Sequence, residues 1–328
     1  MLKSKMIAVT GASGFVGRTL VRELLARGYQ VRALVQCREK ARAVLPRDPG
    51  LTFVVGDAKQ DADVSELLRG CSACINLIGI LREDRAKGKT FRELHVGVTR
   101  RLVQACEKAG VRRFLQMSAL GASDTGAAEY QRTKFEAEAC VRQSSLDWTI
   151  FRPSLIHGVD GEFIDQAASW CSGHVQPYIF LPYFRKLTED KRVPLGSMNE
   201  SDPLVQPVAV EDVAWAFGES LENPTTVGEV YNLAGPEVLS WPEMLEWIRD
   251  HTPGANHGLK PFGIPGKVAA LGAKAAEAIG LSGLLPHDEG MALMGAQDST
   301  ATLDKARSHF KFSPRPFRTS FAAYAGQL

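Results

Sequence analysis

Val9-Thr10-Gly11-Ala12-Ser13-Gly14-Phe15-Val16-Gly17-Arg18 is the stretch on which the reading of this chain turns. Ahead of it, Met6 to Val9 is a short apolar run, long enough for one buried strand. Behind it, Leu20, Val21, Leu24 and Leu25 recur at helical spacing. The three glycines therefore sit in a turn between strand and helix, the opening of a nucleotide-binding βαβ unit. Such a turn is tight, and any Cβ in it would keep a pyrophosphate from the amides at the helix N-terminus. The pattern predicts a dinucleotide site to which Gly11, Ser13, Gly14, Phe15, Val16 and Gly17 contribute. A merely structural turn is the weaker alternative, because strand, turn and helix follow in the required order.

The whole chain sets the limits. At 328 residues it is too long for one small domain, and a prior of ~150 residues per domain suggests two. Hydrophobic content of 45% with 23% charge is that of a soluble globular protein. A formal charge of +2 points to neither nucleic acid nor an acidic surface as partner. No run approaches the ~18 uncharged apolar residues of a membrane span. Met1-Leu2-Lys3-Ser4-Lys5 leads straight into the first strand, which predicts no signal or transit peptide. The six scattered cysteines fit a reducing cytoplasm. Cys71 and Cys74 form a C-x-x-C without a second pair, and Cys74 opens the apolar run to Gly79, so a buried strand is the better reading than a metal or redox pair.

In chain order, Gln30 to Val35 reads as the second strand. An NAD-preferring protein usually places an acid near its end, ~20 residues past the glycines, to accept from the ribose 2′-hydroxyl. Val35-Gln36-Cys37-Arg38 offers none, and Lys40 and Arg42 follow. Arg38 would meet a 2′-phosphate through a charge-assisted contact, and Arg18 would reach the same place. NADP(H) is therefore favoured over NAD(H); otherwise these arginines merely cover a solvated helix start. Leu51 to Val55 is the third strand, ahead of Asp57-Ala58. Asp57 either accepts from the adenine amino group or caps the next helix. The fourth strand ends at Leu77 and Gly79, where a small residue lets the backbone pass close to a cofactor. Phe91 to Ala109 reads as one long amphipathic helix, and Arg113 to Met117 as the fifth strand. Alternation at this rhythm requires an α/β fold, a Rossmann-type doubly wound parallel sheet with the nucleotide at the carboxyl ends of the strands.

Ser118 stands at the end of the fifth strand, and twelve residues on comes Tyr130-Gln131-Arg132-Thr133-Lys134. Tyr130 and Lys134, four apart, share a helix face. A phenol with a pKa of about 10 is a poor base near neutrality; a neighbouring ammonium, with an oxidised nicotinamide, would lower it. Tyr130 would then exchange a proton with a substrate oxygen that Ser118 holds. The bland alternative is an amphipathic helix that happens to carry Tyr and Lys.

Thr10-Gly11-x-x-Gly14-x-x-Gly17 with Tyr130-x-x-x-Lys134 resembles the short-chain dehydrogenase/reductase superfamily in its extended or atypical, epimerase/dehydratase-like branch. Asn76-Leu77-Ile78-Gly79-Ile80-Leu81, Met117-Ser118-Ala119-Leu120-Gly121-Ala122 and Arg152-Pro153-Ser154 narrow it, as do Gln206-Pro207-Val208-x-Val210-Glu211-Asp212-Val213-Ala214 and Tyr231-Asn232-Leu233-x-Gly235-Pro236. They resemble the group containing the alpha-subcomplex subunit nine of respiratory complex I and its bacterial relatives. The likeness weakens between Phe163 and Val205. It implies an oxidoreductase with Ser118, Tyr130 and Lys134 as catalytic residues, Lys134 also binding ribose, and Pro153 in the cofactor site. Two features depart from the superfamily pattern: His95 stands where an Asn of the proton relay is usual, and the gap from Ser118 to Tyr130 is shorter than in sugar-nucleotide epimerases.

The second half is less regular. Trp148 to Phe151 is a sixth strand; Gln206 to Val210 reads as a strand returning to the sheet, and Asp212 to Leu221 as a helix. This predicts a discontinuous NAD(P)-binding domain, 1–155 and about 205–235, with 156–204 and 236–328 forming a smaller substrate- or partner-side lobe. Tyr178, Phe180, Tyr183 and Phe184 suit a pocket wall over the nicotinamide, or core packing. Over Pro265 to Pro286, Lys267, Lys274 and Glu277 recur at heptad-like spacing, with Val268, Leu271, Ala275 and Ile279 opposite. Such a helix packs on its own domain or lies on a membrane or partner; Gly272, Gly280 and Gly283 weaken it as a free helix.

The function expected is NADP(H)-linked oxidation or reduction of a small, apolar carbonyl or alcohol compound. The alternatives are a cofactor-holding accessory or assembly protein of a respiratory or quinone-related complex, and a nucleotide-sensing regulator. A cytoplasmic place is expected, with a peripheral one at the inner face of a membrane as the alternative. Self-association is compatible with the sequence, and no metal site is expected.

Overall fold

The computed structural model describes residues 5–190, 197–278, 285 and 287–328. Met1 to Ser4, and Ile279, Gly280, Gly283 and Pro286 of the anticipated 265–286 helix, lie outside the described residues. The first half alternates as expected: β1 (Met6–Thr10), α1 (Phe15–Ala26), β2 (Gln30–Val35), α2 (Arg38–Val44), β3 (Leu51–Val55), α3 (Asp61–Leu68), β4 (Ala73–Asn76), α4 (Val98–Ala109), β5 (Arg113–Met117), α5 (Glu129–Arg142) and β6 (Asp147–Pro153). A seventh strand, Glu229–Leu233, pairs parallel with β6. The sheet order is Glu229–Leu233, β6, β5, β4, β1, β2, β3, and every pairing in it is parallel. Sequence order reverses between β1 and β4, so the crevice at a topological switch point opens beyond Thr10 and Asn76, which are register partners.

Strand alternation divides the interior in two. Ile7, Val9, Ile75, Leu115 and Phe151 face one core with Val16, Leu20 and Leu24 of α1. Ala8, Cys74, Phe114 and Ile150 face the other, with Val64 and Leu67 of α3 and Val98 and Leu102 of α4. Cys74 thus lies in mid-strand beside Cys106, where that neighbour and burial raise its thiol; burial pushes the Cys71 thiol up to about 11.

One sequence expectation is corrected and another refined. Gln206 to Val210 does not enter the main sheet: Val208–Ala209 pairs only with Ile156–His157, because Pro207 offers no amide to a ladder and the next helix already begins at Val210. The alternating stretch Glu229–Leu233 takes the sheet edge instead. The helix over Phe91 to Ala109 is continuous, as expected, but not α-helical throughout. Arg92–Gly97 is one π-helical turn, which turns both His95 and Val96 inward before α4 begins.

Beyond the sheet, α6 (Glu162–Ser172), α7 (Val210–Ser220), α8 (Trp241–His251), α9 (Gly266–Ala278), α10 (Glu289–Gly295), α11 (Asp304–Phe310) and α12 (Phe317–Tyr324) follow. A third core gathers Ile164, Leu181, Met244, Ile248, Phe317 and Phe321. Beside it a three-stranded sheet, ordered Pro261–Pro265, Leu181–Asp190, Ser197–Ser201, supports α9 and α10. The aromatic segment mostly builds this region: Tyr183 is buried with its hydroxyl on Asp202 at 2.7 Å, Phe184 packs on His287, and Phe180 meets Phe262. Among the described residues no helix is long and apolar enough to cross a membrane.

Candidate cofactor and active site

The glycine turn has the shape its spacing demands. Gly11 takes a left-handed φ of 72° and would press a Cβ to 3.0 Å from the Leu77 backbone. A Cβ on Gly17 would fall 2.1 Å from the Gly11 carbonyl oxygen. At Gly14 only that same oxygen lies near, at 3.3 Å, and the rest is open. Gly14 is the N-cap of α1; no side chain caps this end, and no acid occupies its first turn. Free amides, positive helix end and open space together fit a dinucleotide pyrophosphate.

The other residues assigned to the cofactor separate. Arg38, exposed at the start of α2, stands just past β2, in a cleft of about 620 Å³ that Arg42 and Arg47 also line. Arg18 instead meets Asp160, beyond β6, at 3.0 Å. Asp57 does not cap α3, whose N-cap is Gln60; its carboxylate accepts from the Lys59 amide at 2.9 Å and closes a tight turn. Ala58 and Leu77 are buried, and the Pro153 carbonyl accepts from the Leu120 amide at 2.8 Å, tying the loop after β5 to β6.

Tyr130 and Lys134 do converge. The Lys134 ammonium, buried, lies 5.7 Å from the Tyr130 ring centroid. It also lies 2.8 Å from where a Cβ on Gly79 would stand, so Gly79 leaves the space that this side chain fills. Burial lowers Lys134 to about 8, against the opposing pull of Glu138. Burial drives the Tyr130 phenol up to about 12. The ammonium alone, at 5.7 Å, does not offset the loss of solvent; the lowered phenol expected from sequence also calls for an oxidised nicotinamide beside it.

His95 packs edge-on against Tyr130, with ring centroids 5.3 Å apart, and Phe91 touches both rings, 5.8 Å from Tyr130 and 5.3 Å from His95. Its Nε2 accepts from the Ile80 amide at 3.3 Å. The ring proton therefore sits on Nδ1, which donates to Thr133 Oγ1 at 2.9 Å; that hydroxyl donates onward to the Glu129 carbonyl. Burial, helped by Lys134, depresses His95 to about 2. Between this value and an ordinary 6.5 the unfolded chain binds one more proton, so His95 contributes stability above pH 6.5 that is lost as pH falls. His157, lowered to about 4 by burial, acts in the same sense. His95→Asn should therefore reduce the loss of unfolding free energy between pH 6 and pH 5 by about 1 kcal/mol, measured by urea titration. An unchanged acid limb would show that His95 is not held neutral.

Sequence reasoning missed the group behind Ser118. Ser118 Oγ donates to Glu138 at 2.5 Å. Glu138 is fully buried, and Arg152 grips both its oxygens, at 2.7 and 2.6 Å, while Arg142 adds a third contact. A carboxylate taken wholly out of water needs such charged partners. The signal was present, since Glu138 follows Tyr130 and Lys134 at intervals of eight and four on the inward face of α5; only the fold brings Arg152 to it. A second network fixes the crevice floor: Asn76 accepts from Thr10 Oγ1 at 2.7 Å and donates to Gln116 and Thr99. Among the described residues no cluster of side chains could hold a metal ion.

Comparison with known proteins agrees with this geometry. Residues 11–163 match the family described as NAD(P)H-binding. The chain is 31% identical over 231 residues to the mitochondrial NADH dehydrogenase [ubiquinone] 1 alpha subcomplex subunit 9 of Rattus norvegicus, covering 70% of this chain and 56% of that protein. It is 31% identical over 153 residues to a ceramide reductase of Caulobacter vibrioides, covering 47% of each. Among solved structures, a short-chain dehydrogenase/reductase superfamily protein from Agrobacterium tumefaciens with bound NAD superimposes with a TM-score of 0.66. That match has 20% identity and covers 98% of this chain and 95% of the other. The chain spans 56–63% of the length of the mitochondrial subunit 9 proteins it matches in rat and Dictyostelium discoideum. Residues 11–163 are therefore an NAD(P)H-binding domain, in a Rossmann-like chain homologous to complex I alpha-subcomplex subunit 9.

Proposed function

We propose that this chain is an NADP(H)-linked oxidoreductase that reduces a small, apolar carbonyl compound. The observation that carries the reading is the convergence of the Tyr130 phenol and the buried Lys134 side chain beside Gly79, at the switch-point crevice. When bound there, a reduced nicotinamide supplies the hydride. Tyr130 donates its phenolic proton to the carbonyl oxygen as that oxygen gains charge. The Lys134 ammonium holds the ribose and stabilises the resulting phenolate. Neutral His95 and Phe91 fix the Tyr130 ring. Ser118 Oγ donates to the Glu138 carboxylate and keeps its lone pairs to accept, so in this reading its role is positional.

Arg38 and the absence of an acid past β2 support NADP(H) over NAD(H). NADPH should bind at least about tenfold more tightly than NADH by calorimetry, and Arg38→Glu should abolish that preference. Equal affinities in the unaltered chain would discard the 2′-phosphate assignment.

A second reading, a cofactor-holding accessory protein of a respiratory complex, is favoured by the kinship with subunit 9 and by the engagement of the Ser118 proton with Glu138. The two part on turnover: nucleotide bound without hydride transfer to any carbonyl compound supports the accessory role.

A further inference from the structure

We propose that the outward face of α9 docks this protein on the surface of an anionic lipid bilayer. The helix is packed the opposite way from a normal amphipathic helix. Its buried side is made of Gly266, Ala269, Ala270 and Ala273, whereas Val268 is 60% and Leu271 70% exposed. At roughly 100° per residue, Val268, Leu271 and Ala275 share one stripe opposite the alanines. The largest apolar side chains of the helix are therefore the ones its own fold leaves bare.

Charge indicates what covers them. Lys267 and Lys274, seven residues apart, flank the stripe on one side, both exposed; Lys274 Nζ stands 4.0 Å from the Glu289 carboxylate of α10, a loose exposed pair. The single acid of α9, Glu277, turns toward the alanine side, where it borders the cleft shared with Arg82 and Arg85. The outward face of α9 itself thus carries apolar and cationic groups and no acid, with Glu289 of α10 at the Lys274 edge. The strand leading into α9 extends this character: Lys260 and Phe262 are exposed, the latter by 57%. The Phe262 ring stands 5.1 Å from Phe180, which follows Tyr178 and Ile179 in the chain, 52% and 78% exposed. An apolar stripe edged with lysines is the pattern that lies in a bilayer interface, side chains among the acyl chains and ammonium groups at anionic headgroups. A protein–protein interface core is by contrast depleted in lysine. Ala273 and Glu277, on the inner side of the same helix, line a cleft of about 520 Å³ with Phe91, Glu129 and Arg132, next to Tyr130. One helix would therefore rest on the lipid and wall the cleft.

The test uses the full chain with vesicles of equal parts phosphatidylcholine and phosphatidylglycerol, and of phosphatidylcholine alone. Co-sedimentation should be at least about tenfold stronger with the anionic vesicles and weaken as salt rises. Val268→Glu with Leu271→Glu, and separately Lys267→Glu with Lys274→Glu, should each lower it at least about tenfold, with thermal melting and nucleotide affinity unchanged. Leu271→Trp, a milder substitution at the same position, should shift its emission to the blue on anionic vesicles alone. Failure of the unaltered chain to bind either vesicle, or binding that both pairs leave intact, overturns the proposal. So does a dimer in sedimentation velocity that Val268→Glu with Leu271→Glu converts to monomer, which would assign the face to a second copy. None of these outcomes depends on whether Tyr130 turns over.

Discussion

Tyr130→Phe should lower the turnover of NADPH-dependent carbonyl reduction by about a hundred- to ten-thousandfold, while nucleotide affinity changes by less than about threefold. Only the hydroxyl leaves; the ring that packs edge-on against Phe91 and His95 remains. Fold and pocket should therefore survive, and the lost factor is that of a general acid. The measurement is the loss of reduced-nicotinamide absorbance with a panel of apolar aldehydes and ketones, run beside calorimetric titration of the nucleotide. A variant as active as the parent would remove Tyr130 from the chemistry and leave the accessory role as the better account. A fall in kcat matched by an equal loss of nucleotide affinity would assign Tyr130 to binding instead.

The second large effect contrasts two glycines three residues apart. Gly17→Ala would drive a methyl to 2.1 Å from one backbone oxygen and 2.6 Å from another, neither free to move, since the turn is locked between β1 and α1. It should destabilise the protein by roughly 3–5 kcal/mol, read by urea unfolding. Gly14→Ala meets only the Gly11 oxygen, at 3.3 Å, at a φ of −77° that any residue adopts. Unfolding free energy should change by less than about 1 kcal/mol. The added methyl would stand before the uncapped amides of α1, so nucleotide affinity should fall at least about tenfold. Unaltered affinity in Gly14→Ala would mean that the phosphates do not approach this helix end.

How legible the site was varies residue by residue. The roles of Gly11 and Gly17 follow from local geometry, which spacing encodes directly. Tyr130 and Lys134 share a face because four residues make about one helical turn, and that too is local. The state of Tyr130 was not legible. Neighbour identity suggested that lysine and an oxidised nicotinamide would lower the phenol, whereas burial in the assembled chain, which spacing does not record, pushes it the other way. Arg18 shows what spacing does not record: the loop after β6 carries Asp160 to it from 142 residues away. Ser118 was chosen for its place at a strand end, yet its partner Glu138 is itself held by Arg152, brought in by β6.

The sequence by itself determined the alternation of strands and helices, the glycine turn and the pairing of Tyr130 with Lys134, because each depends on intervals shorter than about two helical turns. Tertiary structure decided which strand completes the sheet, in which direction burial shifts Tyr130, Lys134 and His95, and which side of α9 meets solvent. Those outcomes depend on desolvation and on contacts between segments far apart in the chain, and no local interval records either.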